Sequence, residues 1–334
     1  MQQNSNERIV YLDLLRTIAT FAVIMLHVFS TAFNSQSFCP SWYYAVVCDG
    51  LVRWCVPVFF MISGALFLMP SKIVMFKDVL SKYVLRLVVA YIFWCVVYCL
   101  IEVINGHTLP DDLGVCFYHL WFLPMLMGIY LLIPLLRKLP TDRGLTQYLL
   151  IVWLVFSFVK ILPVIPSHFV PLVTNDFVGY VGYFILGYFL STISFSKRRV
   201  FMICVLGVLG GLFTIIGTVV ISKNRGNASE WFFRYLCPNI IIMAVAMFVF
   251  IKWIANKCGK LVLWFVNFVR KDLFGVYLVH VLYLNILLPR IAGLGEGAAF
   301  KVVMYPLVSV AIFVFSLFTT KLIRQIPIIR KVVE

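Results

Sequence analysis

Ten stretches of this 334-residue chain are apolar for long enough to cross a lipid bilayer, and little sequence remains between them. They fall near residues 10–32, 43–69, 81–104, 113–136, 145–162, 177–193, 200–221, 233–255, 273–292 and 302–322. A helix rises 1.5 Å per residue, so about 20 apolar residues match a hydrocarbon layer roughly 30 Å thick. Within that layer each backbone N–H and C=O must be satisfied internally, which a helix achieves within its own segment. With 63% hydrophobic and 12% charged residues, a water-soluble fold is excluded. The expectation is an all-α polytopic membrane protein, one integral-membrane domain over residues 1–334, because the connections leave no room for a soluble module. No internal repeat or Gly/Ser linker divides the chain. The first apolar run has no small-residue cleavage site after it, so it reads as a retained span.

The net charge of +15 follows the same organisation. Basic clusters fall at Arg8; at Lys72, Lys77, Lys82 and Arg86; at Arg137, Lys138 and Arg143; and at Lys197 to Arg199. Others follow at Lys252 to Lys271 and at Lys321 to Lys331. These are alternate connections and the two termini, while the intervening connections carry few basic residues, among them Lys223, Arg225, Arg290 and Lys301. By the positive-inside rule both termini are cytoplasmic and the number of spans is even. Topology therefore accounts for the basic balance, and no nucleic-acid partner is needed to explain it. The stretch 256–272 is basic and apolar together and is expected to lie along the membrane surface.

Arg16 and His27 stand in an otherwise apolar run. Eleven residues are close to three helical turns, so the two side chains share one face, roughly 16 Å apart along the axis. Ionisable groups within a span cost about 3 kcal/mol or more and normally face a partner or a polar cavity. Depth counted at 1.5 Å per residue places His27, His119 and Arg53 in the outer half of the membrane. The same count places Arg16, Arg86, Tyr277 and His280 in the inner half, with Lys82 and Asp13 nearer the cytoplasmic boundary. An inner cationic tier and an outer histidine tier result. Structural alternatives stand beside this reading. Arg16 and Asp13 form an i, i+3 ion pair at a helix end; Lys82 and Arg86 snorkel and set topology; His119 and His280 bond between helices.

Nine cysteines are scattered, mostly within apolar runs, without CxxC or Cys/His metal spacing. No metal is expected. Cys39 and Cys116 lie near outer connections and are candidates for a disulfide.

Four blocks resemble the acyltransferase 3 family of multi-pass membrane O-acyltransferases. The first is Tyr11-Leu12-Asp13-Leu14-Leu15-Arg16 with His27, the family's Arg-x10-His pattern, although Thr17 replaces a common glycine. Arg53 through Gly64 resembles its second-helix motif. His119-Leu120-Trp121-Phe122-Leu123 and Phe274-Gly275-Val276-Tyr277-Leu278-Val279-His280 resemble a third and a fourth block. The spacing of Lys82 and Arg86 is wider than in many members, and Leu273 stands where a serine is common. The chain ends soon after its tenth apolar segment, so the resemblance extends to the stand-alone branch that includes the enterobacterial common antigen O-acetyltransferase.

The resemblance implies transfer of an acyl group, commonly acetyl, from acyl-coenzyme A to a sugar hydroxyl in the bacterial cytoplasmic (inner) membrane. The expected donor is acetyl-CoA, bound by Arg16, Lys82 and Arg86. The expected acceptor is a glycan or lipid-linked saccharide, held with help from Arg53, Trp121, Tyr277 and His280 among membrane lipids. His27, Arg16 and His119 are the catalytic candidates, with His27 as general base because imidazole titrates near neutral pH. An acyl-histidine intermediate is the alternative route. The rival from another class is a transporter that uses the same polar track without covalent chemistry.

Overall fold

The computed structural model describes residues 10–34, 38–72, 74–106, 119–159, 176–292 and 297–333, and among them every regular element is a helix. The central helix is α1 (Val10–Phe33). The stretch 43–69, read as one span, is two helices, α2 (Pro40–Val52) and α3 (Cys55–Phe67), interrupted at Arg53 and Trp54. Pro57 explains the break. It has no N–H to give the Arg53 carbonyl four residues earlier, and its ring crowds that oxygen. Helical bonding resumes with Val58 N–H on the Trp54 carbonyl at 3.2 Å.

Next, α4 (Phe76–Ile104) contains a widened π turn at Val79–Val84 that carries Lys82 and Tyr83. Such turns gather at functional sites. The short helices α5 (Phe122–Leu131) and α6 (Ile133–Leu136) meet at a 51° bend just before Pro134. Then follow α7 (Arg143–Val159), α8 (Asp176–Thr192), α9 (Lys197–Arg225) and α10 (Pro238–Ile254). The chain closes with α11 (Lys260–Val269), α12 (Leu273–Ala292) and α13 (Ala298–Gln325).

Each of the ten expected segments holds a helix, but among the described residues seven stretches are long and apolar enough to cross a membrane alone, or eight with the bent pair counted as one. The difference is one of length. Helices α7 and α8 have 17 residues each and border segments outside the described residues. The protein is an all-α polytopic membrane protein.

Burial separates the middle of the bundle from its rim. In α1 and the α2–α3 span, 67% and 78% of the most apolar window is buried, against 28% in α4 and 22% in α9. Accordingly α9 turns Phe201, Val208, Phe213 and Ile216 outward, where lipid tails are as apolar as they are. Helices α3 and α8 cross in backbone contact: a Cβ on Gly64 would lie 1.7 Å from the Phe184 carbonyl oxygen, and one on Gly187 2.0 Å from that of Met61.

Some basic residues at the ends of helices close the ends of neighbouring ones. Arg137 Nη1 donates to the Phe67 carbonyl at 2.6 Å. Lys252 Nζ donates to the carbonyls of Leu190, Ser191 and Ile193 at 2.9, 2.6 and 2.8 Å. Carbonyls in a helix's last turn lack intrahelical donors, and these cations supply them. The surface segment expected within 256–272 is helical as α11, with Leu261, Trp264, Phe265 and Phe268 exposed. Just after it, buried Asp272 accepts from Arg324 and lies 3.1 Å from Lys321 Nζ, tying the end of α13 to the start of α12.

Candidate active site

A cavity of about 580 Å³ opens between α1, α3, α4, α5 and α12. Among the described residues six basic side chains line it, Arg16, Lys72, Arg86, Arg270, Lys271 and Arg324, against one carboxylate, Asp13. Tyr130 hydrogen-bonds Ser63 in the same wall and lies within electrostatic reach of Arg16 and Arg86. The Arg86 guanidinium sits 5.5 Å above the Phe274 ring, and Lys72 Nζ 3.9 Å above Phe67. Lys72 belongs to the connection between α3 and α4. Burial, with Arg137 and Lys82 nearby, lowers its pKa to about 8. Following each helix inward, the last lining residues are Thr20 on α1, Phe59 on α3, Phe122 on α5 and Tyr277 on α12.

Past Tyr277 three histidines meet. His27 and His280 stack with ring centroids 5.3 Å apart, and His119 meets His280 edge-on at 5.5 Å. His280 Nδ1 lies 2.5 Å from the Tyr277 carbonyl oxygen. That oxygen only accepts, so Nδ1 carries the proton and Nε2 presents a lone pair. Nε2 is buried without a hydrogen-bond partner among the described residues. His119 is held by the Leu278 backbone and the edge of Tyr98, 5.0 Å away, and its own carbonyl accepts from the Tyr277 hydroxyl. His119 and His280 are buried, whereas His27 keeps part of its surface accessible.

Arg53 joins this cluster from the α2–α3 break. Its Nη2 donates to Asp49 Oδ2 at 2.5 Å, both residues are buried, and its guanidinium lies 4.3 Å above the Phe233 ring. It is close enough to His27 and Tyr235 to act on both electrostatically. Trp121 packs on Tyr180 and Tyr235 at 5.4 and 6.1 Å.

The structure thus groups Arg16 with Arg86, and His27 with His119, His280, Tyr277 and Arg53. Lys82 stands outside the cavity lining, exposed, its Nζ 5.8 Å from the Tyr83 ring. The depth count put Tyr277 and His280 with the inner cations, and the structure corrects this: His280 stacks on His27, and Tyr277 spans the two tiers. The count assumed that all spans begin on one plane. Leu273, the first residue of α12, already lines the same cavity as Arg16, and His280 follows it by seven residues where His27 follows Arg16 by eleven.

Sequence reasoning missed Lys72, Arg270, Lys271 and Arg324 as cavity residues, and Asp49 as the partner of Arg53. For Asp49 the i, i+4 spacing was the available signal. Cys116 lies outside the described residues, and Cys39 Sγ is 3.0 Å from Ser41 Oγ. Among the described residues no group of three His, Cys, Asp or Glu side chains is disposed to hold a metal ion.

A helical membrane bundle with a cationic cavity and, beyond its inner wall, a histidine cluster defines the class of protein. The sequence profile of the acyltransferase 3 family, described as an acyltransferase domain, matches residues 9–323. The chain belongs to this family and is a membrane acyltransferase. No curated protein and no solved structure matches it significantly.

Proposed function

We propose that the protein is an O-acetyltransferase of the bacterial cytoplasmic membrane. It moves acetyl from cytosolic acetyl-CoA to a hydroxyl of a cell-surface or lipid-linked glycan. One observation carries this reading: six basic side chains line a cavity whose inner wall, Tyr277, also touches the histidines. Coenzyme A bears several phosphate charges, which arginine forks pair through two parallel hydrogen bonds. Its thioester end then points toward His27.

Of the three histidines, His27 alone keeps accessible surface, and it is the general base. Its imidazole takes the proton of the acceptor hydroxyl as that oxygen bonds to the thioester carbonyl carbon. The C–S bond breaks, and the leaving sulfur takes the proton back from the imidazolium. Arg53, its charge balanced by Asp49, offsets the negative charge that develops on the carbonyl oxygen. His280, with its tautomer fixed by Tyr277, and Trp121 orient the acceptor.

The test is label transfer from [14C]acetyl-CoA to glycan in membrane vesicles holding the full-length protein. His27→Ala should lower transfer about 10²–10⁴-fold while donor binding persists. Arg16→Ala should instead raise the donor KM, and Arg16→Lys should recover part of it. A stable His27→Ala that still transfers acetyl overturns the assignment of the base. An intact thioester in wild-type vesicles would point to transport instead.

A further inference from the structure

Where α11 turns into α12, Arg270, Lys271, Leu273 and Phe274 all line the cationic cavity, and Asp272 in their midst does not. The backbone fixes this turn. Arg270 N–H donates to the Val266 carbonyl at 3.0 Å, Asp272 N–H to that of Val269 at 2.8 Å, and Val276 N–H to that of Asp272 at 2.9 Å. Asp272 is 1% exposed, and its carboxylate meets α13: one oxygen accepts from Arg324 Nη1, and the other lies 3.1 Å from Lys321 Nζ. A buried carboxylate is costly without such counter-charges. The two cations differ. Lys321 is outside the cavity lining, and its ammonium also donates to the Phe268 carbonyl at 3.2 Å and lies 3.8 Å above that ring, so it ties α13 to α11. Arg324 lines the cavity with 31% of its side chain exposed, and its Nε and Nη2 have no hydrogen-bond partner among the described residues. In the same lining Arg270 Nε is buried and likewise without a partner among them. A buried donor left unsatisfied is unfavourable until an acceptor arrives.

We infer that Asp272 is a positioning residue of the donor site: from behind the cavity wall it holds the Arg324 guanidinium so that the remaining nitrogens receive a phosphate of the donor. The inference rests on the reading of this cavity as the acyl-CoA site. A guanidinium is a planar fork whose donors point in fixed directions, so a carboxylate on Nη1 sets where Nε and Nη2 aim. An ammonium is a single point of charge and cannot serve carboxylate and phosphate in the same way. The sign of the effect separates positioning from plain electrostatics. Asp272 is negative, and its neutralisation makes the cavity more positive, so charge alone predicts tighter binding of an anionic donor. Positioning predicts weaker binding, because Arg324 then has to be ordered by the donor itself.

The experiment measures acetyl-CoA affinity, thiol release at saturating acetyl-CoA and melting temperature for the full-length protein in membrane vesicles. Asp272→Asn should weaken donor binding by about tenfold, the worth of one charge-assisted hydrogen bond. Its thiol release at saturation should stay within about twofold of wild type, since the lost contact serves binding and not the chemical step. Arg324→Gln should weaken binding similarly, and adding Asp272→Asn to it should change affinity no further. Lys321→Gln breaks the other half of the tie and should lower the melting temperature while leaving affinity within about twofold of wild type. Unchanged or tighter binding in Asp272→Asn overturns the inference, and so does an additive loss in the double variant. A loss in Lys321→Gln equal to that in Asp272→Asn also overturns it, because the tie alone would then govern affinity. If Asp272→Asn does not fold, Arg324→Lys decides: weaker binding supports the positioned fork, and wild-type affinity overturns it. If wild type binds no acetyl-CoA, the donor reading itself fails, and the role of Asp272 falls with it.

Discussion

Lys72 sits half-buried over the Phe67 ring, where burial, Arg137 and Lys82 lower its pKa to about 8. Below that pH the side chain is an ammonium able to pair with phosphate, and above it the charge is lost. A bound phosphate favours the charged form and draws the pKa back upward. Donor affinity should therefore fall as pH rises through about 8, and binding near that pH should take up a proton. Calorimetry at several pH values, in buffers of different ionisation enthalpy, measures both. Affinity that is flat across this range, with no proton uptake, would remove Lys72 from the donor site. Folding carries the matching sign. The lowered pKa penalises the protonated form, so stability rises with pH between about 8 and 10.5 and gains nothing from this group below 8. Such behaviour was not legible beforehand. Arg16 and His27 stood out because an ionisable residue in an apolar run has few ordinary explanations. A lysine in a connection has many, and only the folded chain shows that Lys72, Arg270, Lys271 and Arg324 line the cavity.

At the scale of elements, the crossing of α3 on α8 is the least forgiving contact. Gly64 and Gly187 each bring a Cα against a carbonyl oxygen of the facing helix, a backbone atom that cannot rotate away. Gly187→Ala should thus separate the two helices and cost about 1–3 kcal/mol or more, read as a lower melting temperature of the purified protein. Gly259→Ala, with nothing within 4 Å of the added carbon, is the control; as the N-cap of α11 it should lose no more than about 1 kcal/mol and melt well above Gly187→Ala. Equal melting of the two variants would mean that the crossing is looser than described. Helix positions were legible because an apolar run of about 20 residues has one stable form in lipid. The interruption at Arg53 was not, although Pro57 marked it, since a proline within a span often bends a helix without breaking it. Nor was the entry depth of α12, which depends on where α11 delivers the chain and not on composition.

For the whole molecule, alternation of basic and non-basic connections leads to the expectation that both termini are cytoplasmic. A reporter active only in the periplasm should be silent when fused after Glu334 and active when placed near Asp111; the opposite pattern would invert the site, putting the cations on the outer face. The site draws on α1, the start of α5 and α12, so its histidines meet only after the late spans have entered the bilayer. Asp49 and Arg53 follow another schedule. They stand one turn apart in a single stretch of chain, so each reaches the membrane already beside its counter-charge. A lone charge in a span would wait in hydrocarbon for a partner on a later helix, at about 3 kcal/mol. This pair needs no such wait, and α2 can be delivered to lipid while most of the chain is still unmade, its buried cation in place before there is a substrate pocket around it.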